Sequence, residues 1–321
     1  MGCDKLIIGT RGSRLALMQS EQVADHLRAT HEGLEVELRV IQTQGDRLLD
    51  TALSRLGGKG VFTKEIEQAL LAEQVDLAVH SLKDMPTTLP AGLVIGAVTQ
   101  RVDAADVLVG AADASGNVLA CTLATLPKGA VVMSGSLRRR AQLLHRRPDL
   151  NVVDVRGNVQ TRLAKLDRSD ASALLLAAAG LERLGLARRI SERWEPTDFL
   201  PACGQGALAV EVREEDERVQ ALLAPLDDWA SRLTTAAERT MLAQLGGGCQ
   251  TPIGGYAQVA SGRVRLVGMI ADLSGVQLYK AQAEGAVESV QHVGEVVAQE
   301  LLGMGGSDIL DEIARMEPGA G

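Results

Sequence analysis

Apolar positions along the chain recur at two spacings, and the switches between them mark out the elements. Leu6–Thr10 is a short apolar run ending in Thr10-Arg11-Gly12-Ser13, which predicts a strand running into a loop. Ser13 can cap the next helix, where Ala16, Ser20, Val23 and Leu27 share one face. Val36, Leu38 and Val40 alternate as strand residues do. A helix is predicted from about Thr63, after the flexible Gly57-Gly58-Lys59-Gly60 stretch. Asp76–His80 reads as a buried strand that runs into Ser81-Leu82-Lys83-Asp84-Met85-Pro86.

The alternation then recurs. Val131–Met133 is a strand, Leu137–Arg147 a helix closed by Pro148, and Val152–Val155 a strand. A helix follows Gly157-Asn158, and Ala173–Ala177 is a strand leading into another helix. Ala207–Val212 is one more strand, placed to return to the first sheet. Strands and helices alternating at these lengths imply parallel α/β sheets. From about Trp229 the texture changes. A helix ends in Gly246-Gly247-Gly248, three strands are separated by Ser261-Gly262 and Ser274-Gly275 turns, and two helices follow, as in a small α+β domain.

Composition narrows the function classes. A length of 321 residues favours about two domains and allows three. Aromatics are only 2%, so the cores must be built from Leu, Val, Ile and Ala, and stacking platforms for single-stranded nucleic acid are lacking. A net charge of −8 argues against general polyanion binding. No apolar run reaches the roughly 18 residues that cross a bilayer. The segment Met1-Gly2-Cys3-Asp4-Lys5 lacks a signal peptide's apolar stretch and the Ser or Thr of a myristoylation site, so a cytoplasmic protein is expected. Cys3, Cys121, Cys203 and Cys249 are scattered, which disfavours a disulfide framework or a metal site.

Four stretches can carry chemistry. Between Val131 and Lys165, seven arginines and one lysine face Asp149 and Asp154, a local balance of +6 in an acidic chain. Arg140, Arg146 and Arg147 read as a solvated helix face. Arg138, Arg139, Arg156 and Arg162 lie near strand-to-helix junctions, where helix N-termini also favour anions and guanidinium forks match carboxylates. His80–Pro86 follows a buried strand, where open parallel sheets bind ligands, so Lys83-Asp84 is either a surface ion pair or part of a site. His80 itself reads as a packed or locally bonded residue rather than a general base. Gly57–Gly60 is a lid or a plain turn, without P-loop spacing. Cys249, between Gly246-Gly247-Gly248 and Gln250-Thr251-Pro252, is either a small buried residue or a reactive loop thiol.

Taken in order and spacing, these segments resemble the porphobilinogen deaminase (hydroxymethylbilane synthase) family along nearly the whole chain. The resemblance rests on Thr10–Ala16, Gly57–Glu65, Val79–Pro86, Ser136–Arg139, Arg156–Val159, Ala179–Arg183, Gly204–Ala207 and Gly248–Gly254. It implies an α/β protein with two periplasmic-binding-protein-like lobes, mainly parallel sheets and a cleft between them. A C-terminal α+β domain with a small antiparallel sheet would complete it. The implied boundaries are 1–101 with 204–225 for the first lobe, 106–200 for the second and 229–321 for the third. The implied activity is a transferase that deaminates four porphobilinogen molecules and joins them head to tail into hydroxymethylbilane, as a monomer. The implied cofactor is dipyrromethane, held through a thioether at Cys249.

By the same resemblance Asp84 is the catalytic group. Lys83, Ser81, Ser134, Ser136, Arg138, Arg139, Arg156 and Gly157 would hold the cofactor. Arg11, Ser13, Lys59, Phe62, Arg162, Arg183 and Gln205 would line the substrate site. The chemistry suits these types. The pyrrole drives out ammonia, a carboxylate stabilises the cation left behind, and the substrate's own carboxylates need arginines. Met133-Ser134-Gly135-Ser136 departs from the family's usual Gly-Thr-Ser-Ser, which implies a rearranged anion-binding turn. Cys203 reads as a small buried residue. The rival reading is a non-catalytic two-lobed binding protein for an organic acid, with no use for Cys249 or Asp84.

Overall fold

In the computed structural model the apolar runs assemble into three sheets, described over residues 5–43, 63–113, 115, 117–248 and 251–316. The chain opens with β1 (Lys5–Thr10), α1 (Arg14–Thr30), β2 (Glu35–Val40), α2 (Lys64–Leu71), β3 (Leu77–Ser81) and β4 (Leu93–Val98). Next come β5 (Asp106–Gly110), β6 (Val131–Met133), α3 (Leu137–Arg146), β7 (Asn151–Val153) and α4 (Val159–Asp167). They are followed by β8 (Ala173–Ala177), α5 (Ala178–Arg183), β9 (Ile190–Arg193), β10 (Leu208–Arg213) and α6 (Glu217–Leu223). The last elements are α7 (Trp229–Gln244), β11 (Ile253–Ala260), β12 (Arg263–Ala271), β13 (Leu278–Ala286), α8 (Val290–Leu301) and α9 (Ser307–Met316). These form two compact units. One holds the described residues of Met1–Leu49, Gly58–Val102 and Gly206–Arg232, the other those of Asp103–Gln205 and Leu233–Gly321.

The first unit is a five-stranded sheet in the order β2-β1-β3-β10-β4. β1 pairs in parallel with β2 and β3, while β10 runs antiparallel to β3 and β4. Leu6, Ile8, Leu77 and Val79 face Val23, Ala24 and Leu27 of α1 and Val219 and Leu223 of α6. Ile66, Ala69 and Leu70 of α2 cover Ala78 on the other face. Each buried Leu, Ile or Val among these is worth about 1.5–3 kcal/mol. Ser13 caps α1, its Oγ accepting from the Ala16 N–H at 3.3 Å. β2 is an edge strand, so its alternation is only half used: Val36 and Leu38 are half-buried and Val40 is exposed.

The second unit begins with the sheet β7-β6-β8-β5-β9, in which β5 is the antiparallel strand. The same strand pattern therefore occurs twice. Four strands of each sheet run in one direction, but the expected parallel pairing joins only three, β2-β1-β3 and β7-β6-β8. β10 and β5 reverse it, because each enters its sheet from a distant part of the chain and not through a crossover helix. β4, β5, β9 and α6 gave no distinct signal in the sequence. The unit continues with the antiparallel meander β11-β12-β13. Ser261 and Gly262 both have positive φ, as a tight two-residue hairpin turn requires. Ala237 and Met241 of α7 and Val297 and Leu301 of α8 pack on Leu266 and Ile270.

Candidate functional site

In the first unit the candidate residues gather where β1 and β3, parallel neighbours, reach their C-terminal ends. β3 ends at Ser81 and passes into one 3₁₀ turn, Leu82–Asp84. That turn is held from below: Leu82 is buried, its N–H donates to the Ala207 carbonyl at 3.1 Å, and Met85 packs beside it. Ser81 Oγ accepts from Gln19 Nε2 at 2.9 Å. Lys83 is half-buried, whereas Asp84 is exposed and makes no ion pair among the described residues. Arg11 lies just beyond β1, half-buried, and the Ser13 hydroxyl serves as the helix cap. Lys59, Phe62 and the Gly57–Gly60 stretch lie outside the described residues.

The second unit presents the matching ends of β6, β7 and β8. Ser134 is buried, its N–H donating to Val153 O at 2.9 Å, and Ser136 caps α3. A Cβ at Gly135 would lie 2.6 Å from the Val155 carbonyl, so this turn closes more tightly than a serine at that position permits. Gly157 has φ +115°, and Thr161 stands where its Cβ would be. Arg156 Nε donates to Asp154 at 2.7 Å and Arg162 Nε to the Gly157 carbonyl at 2.7 Å. Burial pushes the half-buried Arg183 guanidinium down to about 10, still charged at neutral pH. Arg156, Lys165 and Arg168 line a cavity of about 620 Å³ together with Met133 and Asp154. Lys165 and Arg168 were not among the candidates, because their spacing from Arg156 forms no motif until α4 brings them round.

Arg138 and Arg139 are inside the protein, at 4% and 6% exposure, and both are engaged by the fully buried Asp106. Arg138 Nη1 donates to Asp106 Oδ2 and to the Leu200 carbonyl, each at 2.5 Å. Arg139 Nε donates to Asp106 Oδ1 at 2.9 Å. Gln205, also fully buried, donates from Nε2 to Asp106 Oδ1 at 2.9 Å and to Ala104 O at 2.7 Å, so its amide belongs to this knot. Burial alone pushes the Asp106 carboxyl up, but the two guanidiniums hold it well below the usual carboxylate range. One carboxylate against two guanidiniums leaves the knot with a net positive charge. Asp106 was not anticipated, since a single acid in an apolar strand carries no signal of its partners.

Arg147 corrects the reading of a solvated face. It is bidentate to Asp149 at 2.7 Å and donates to the Leu123 and Leu126 carbonyls, tying down the end of α3. Arg140 donates to Val152 O, and only Arg146 is exposed, stacked 5.3 Å from the Phe199 ring centroid.

Cys249 lies outside the described residues, but its flanks are fixed. Thr251 Oγ1 accepts from the Gly248 N–H at 3.0 Å and donates to the Gly248 carbonyl at 2.8 Å. Glu238 accepts from the Gly204 N–H at 2.7 Å and the Ala257 N–H at 2.8 Å, joining the 201–205 segment to β11. A Cβ on Gly254 would lie 3.0 Å from Leu200 O and 3.2 Å from Arg138 Cδ. The strand leaving the cysteine loop is thus seated on the arginine knot. Cys203 is buried at 5% exposure. Among the described residues no group of acids, histidines and cysteines could hold a metal ion.

A family model described as porphobilinogen deaminase, dipyromethane cofactor binding domain, matches residues 6–221, and one described as porphobilinogen deaminase, C-terminal domain, matches residues 232–303. A porphobilinogen deaminase of Syntrophobacter fumaroxidans is 47% identical over 313 residues, covering 97% of this chain and 99% of that one. One of Desulforudis audaxviator is 47% identical over 98% of this chain and 99% of its own. One of Chromobacterium violaceum is 46% identical over 96% and 97%. Among solved structures, the BenM effector binding domain with benzoate covers 68% of this chain and 87% of its own at 16% identity, with a TM-score of 0.40. A BvgS periplasmic domain of Bordetella pertussis covers 68% and 84% at 15% identity, with a TM-score of 0.37.

Proposed function

The chain belongs to the porphobilinogen deaminase family, and from that premise we propose which of its residues do the work. The activity is that of a transferase, which deaminates four porphobilinogen molecules and joins them into hydroxymethylbilane with release of ammonia. The family relation speaks against a non-catalytic binding protein. Asp84 is the catalytic group. The observation that carries this is an exposed carboxylate with no ion pair among the described residues, on a turn anchored at the end of a buried strand. As the pyrrole nitrogen pushes out ammonia, positive charge develops on the ring, and a fixed carboxylate at its N–H stabilises that charge. The same carboxylate can take the proton released on coupling.

Dipyrromethane, attached through Cys249, supplies the pyrrole carbon from which the product chain grows. The residues present fit such a group. Its carboxylates call for a positive, preorganised wall, and the Asp106 knot with its net charge lies directly under the strand that leaves the cysteine loop. Ser81, Lys83, Ser134, Ser136, Arg156 and Gly157 complete the cofactor contacts. Arg138 and Arg139 contribute mainly through the field of the knot. Arg11, Ser13, Lys59, Arg162 and Arg183 receive substrate carboxylates and Phe62 lines the substrate site, while Gln205 acts by holding Asp106. A cytoplasmic monomer is the form we propose; a reducing compartment suits the free thiols at Cys121 and Cys203, and no described helix is long and apolar enough to cross a membrane.

Intact mass of the purified protein tests the cofactor: a dipyrromethane adduct is expected, and it should vanish in Cys249→Ser. On cofactor-loaded enzyme, Asp84→Asn should lose about 10²–10³ in rate, with Asp84→Glu retaining more. Parent-like turnover by the loaded Asn variant would remove Asp84 from the chemistry.

A further inference from the structure

Beneath the Ser81–Asp84 turn lies a group of buried titratable side chains that none of the substrate contacts uses. β3 and β10 pair antiparallel with His80 opposite Ala209 and Ala78 opposite Glu211. His80 and Glu211 therefore share one face of the sheet as diagonal neighbours, turned away from the α1 core that takes Leu77, Val79, Val210 and Val212. His80 Nε2 lies 3.2 Å from Glu211 Oε2, with side-chain exposures of 5% and 0%. A second acid, Glu67 of α2, is 7% exposed and close enough to feel both. Burial pushes the Glu67 carboxyl up, and Glu211 adds to the effect.

This trio is an expensive thing to keep inside. Two carboxylates face one imidazole, amid Ile66, Ala69, Leu70 and Ala78. Among the described residues neither oxygen of Glu211, nor Glu67 Oε1, nor His80 Nε2 makes a well-formed hydrogen bond. Apolar residues of similar size would be as stable or more stable at such a place, so packing alone does not account for the trio. Its position does. His80 immediately precedes Ser81 and the 3₁₀ turn that carries Asp84, and Glu211 sits on the strand whose entry, at Ala207, holds that turn.

We propose that His80 and Glu211 are positioning residues for the reaction, a buried clamp that fixes the end of β3 and so sets where the Asp84 carboxylate stands. This rests on Asp84 being the catalytic group. The clamp links three elements at one point, since Glu67 brings α2 onto the same pair. A catalytic group displaced by about 1 Å can cost on the order of 10²-fold in rate, so a loosened strand end lowers turnover without removing any substrate contact.

The test uses cofactor-loaded enzyme, with loading read by intact mass, and three changes: Glu211→Gln, the pair His80→Leu with Glu211→Leu, and Asp84→Asn. The first two should lower kcat by about 10- to 100-fold with KM within about twofold of the parent. The apolar pair should unfold at or above the parent's midpoint, which separates positioning from stability. Parent-like kcat in the apolar pair, or a loss confined to KM, overturns the clamp. If the apolar pair does not fold, the near-isosteric Glu211→Gln decides by the same split. Loss in Asp84→Asn without loss in the clamp variants sinks the clamp and leaves Asp84 standing. No loss in Asp84→Asn sinks both.

Discussion

The Asp106 knot of the second unit and the His80 trio of the first are both buried clusters of charge beside strand ends, yet they are finished very differently. In the knot both Asp106 oxygens accept from guanidiniums or from Gln205, and Arg138 also donates to a backbone carbonyl. In the trio the acids outnumber the base, and acceptors stay without well-formed hydrogen bonds. A buried charge that is fully bonded has one arrangement, because any other leaves a charge unpaired. The trio holds its strand end through one close contact, His80 Nε2 to Glu211 Oε2 at 3.2 Å, so a single change can release it. The comparison assigns rigidity to the arginine wall and sensitivity to the strand that carries Asp84.

The largest expected effect breaks the knot. Asp106→Asn leaves two buried guanidiniums without a counter-charge and should cost about 3–5 kcal/mol of stability, read from denaturant unfolding. The Asp106 carboxyl is held below its unfolded value, so its contribution is present above the ordinary carboxylate range and lost as pH falls through the folded value. The gap between parent and variant should therefore narrow below about pH 4. A gap that stays constant into acid would show that Asp106 is not the charge that matters.

A middle-sized effect concerns the turn beside the knot. Gly135→Ser restores the residue usual in the family but places a Cβ 2.6 Å from the Val155 carbonyl. The turn has to open, at about 1–3 kcal/mol, and cofactor loading read by mass should fall. Unchanged stability and loading would mean that the turn accommodates serine freely.

The trio gives a smaller effect of opposite sign. Glu67 titrates above its usual range because it is buried and faces Glu211. A group with a raised folded value stabilises below its unfolded value and loses that contribution as pH rises through the folded one. Glu67→Gln cannot ionise, so it should melt higher than the parent at neutral pH, by about 2–4 °C for each kcal/mol gained. The advantage should disappear in acid. A variant that melts lower at every pH would show the carboxylate to be a needed partner.

Smallest is Arg147→Ala, which cuts the bonds to Asp149, Leu123 and Leu126 that fasten the end of α3. A slight drop in melting temperature with unchanged turnover is expected. A large loss of rate would extend the active region to this end of the helix.

Most of the elements and the order of the motifs are legible in the residues alone. The strands Val131–Met133 and Ala173–Ala177 and the Ser13 cap are where periodicity and capping chemistry put them, and a helix does follow Gly157-Asn158. These are local properties, set by side chains a few residues apart. Strand direction was not legible, because a strand such as β10 reads as a buried apolar run whichever way it points. Nor were Asp106 and Glu211, each a lone acid in an apolar strand whose partners are 32 and 131 residues away. Whether a charge is a ligand, a knot or a clamp depends on what the fold brings within about 3 Å of it. That is set by the fold, since such contacts follow no periodicity along the chain.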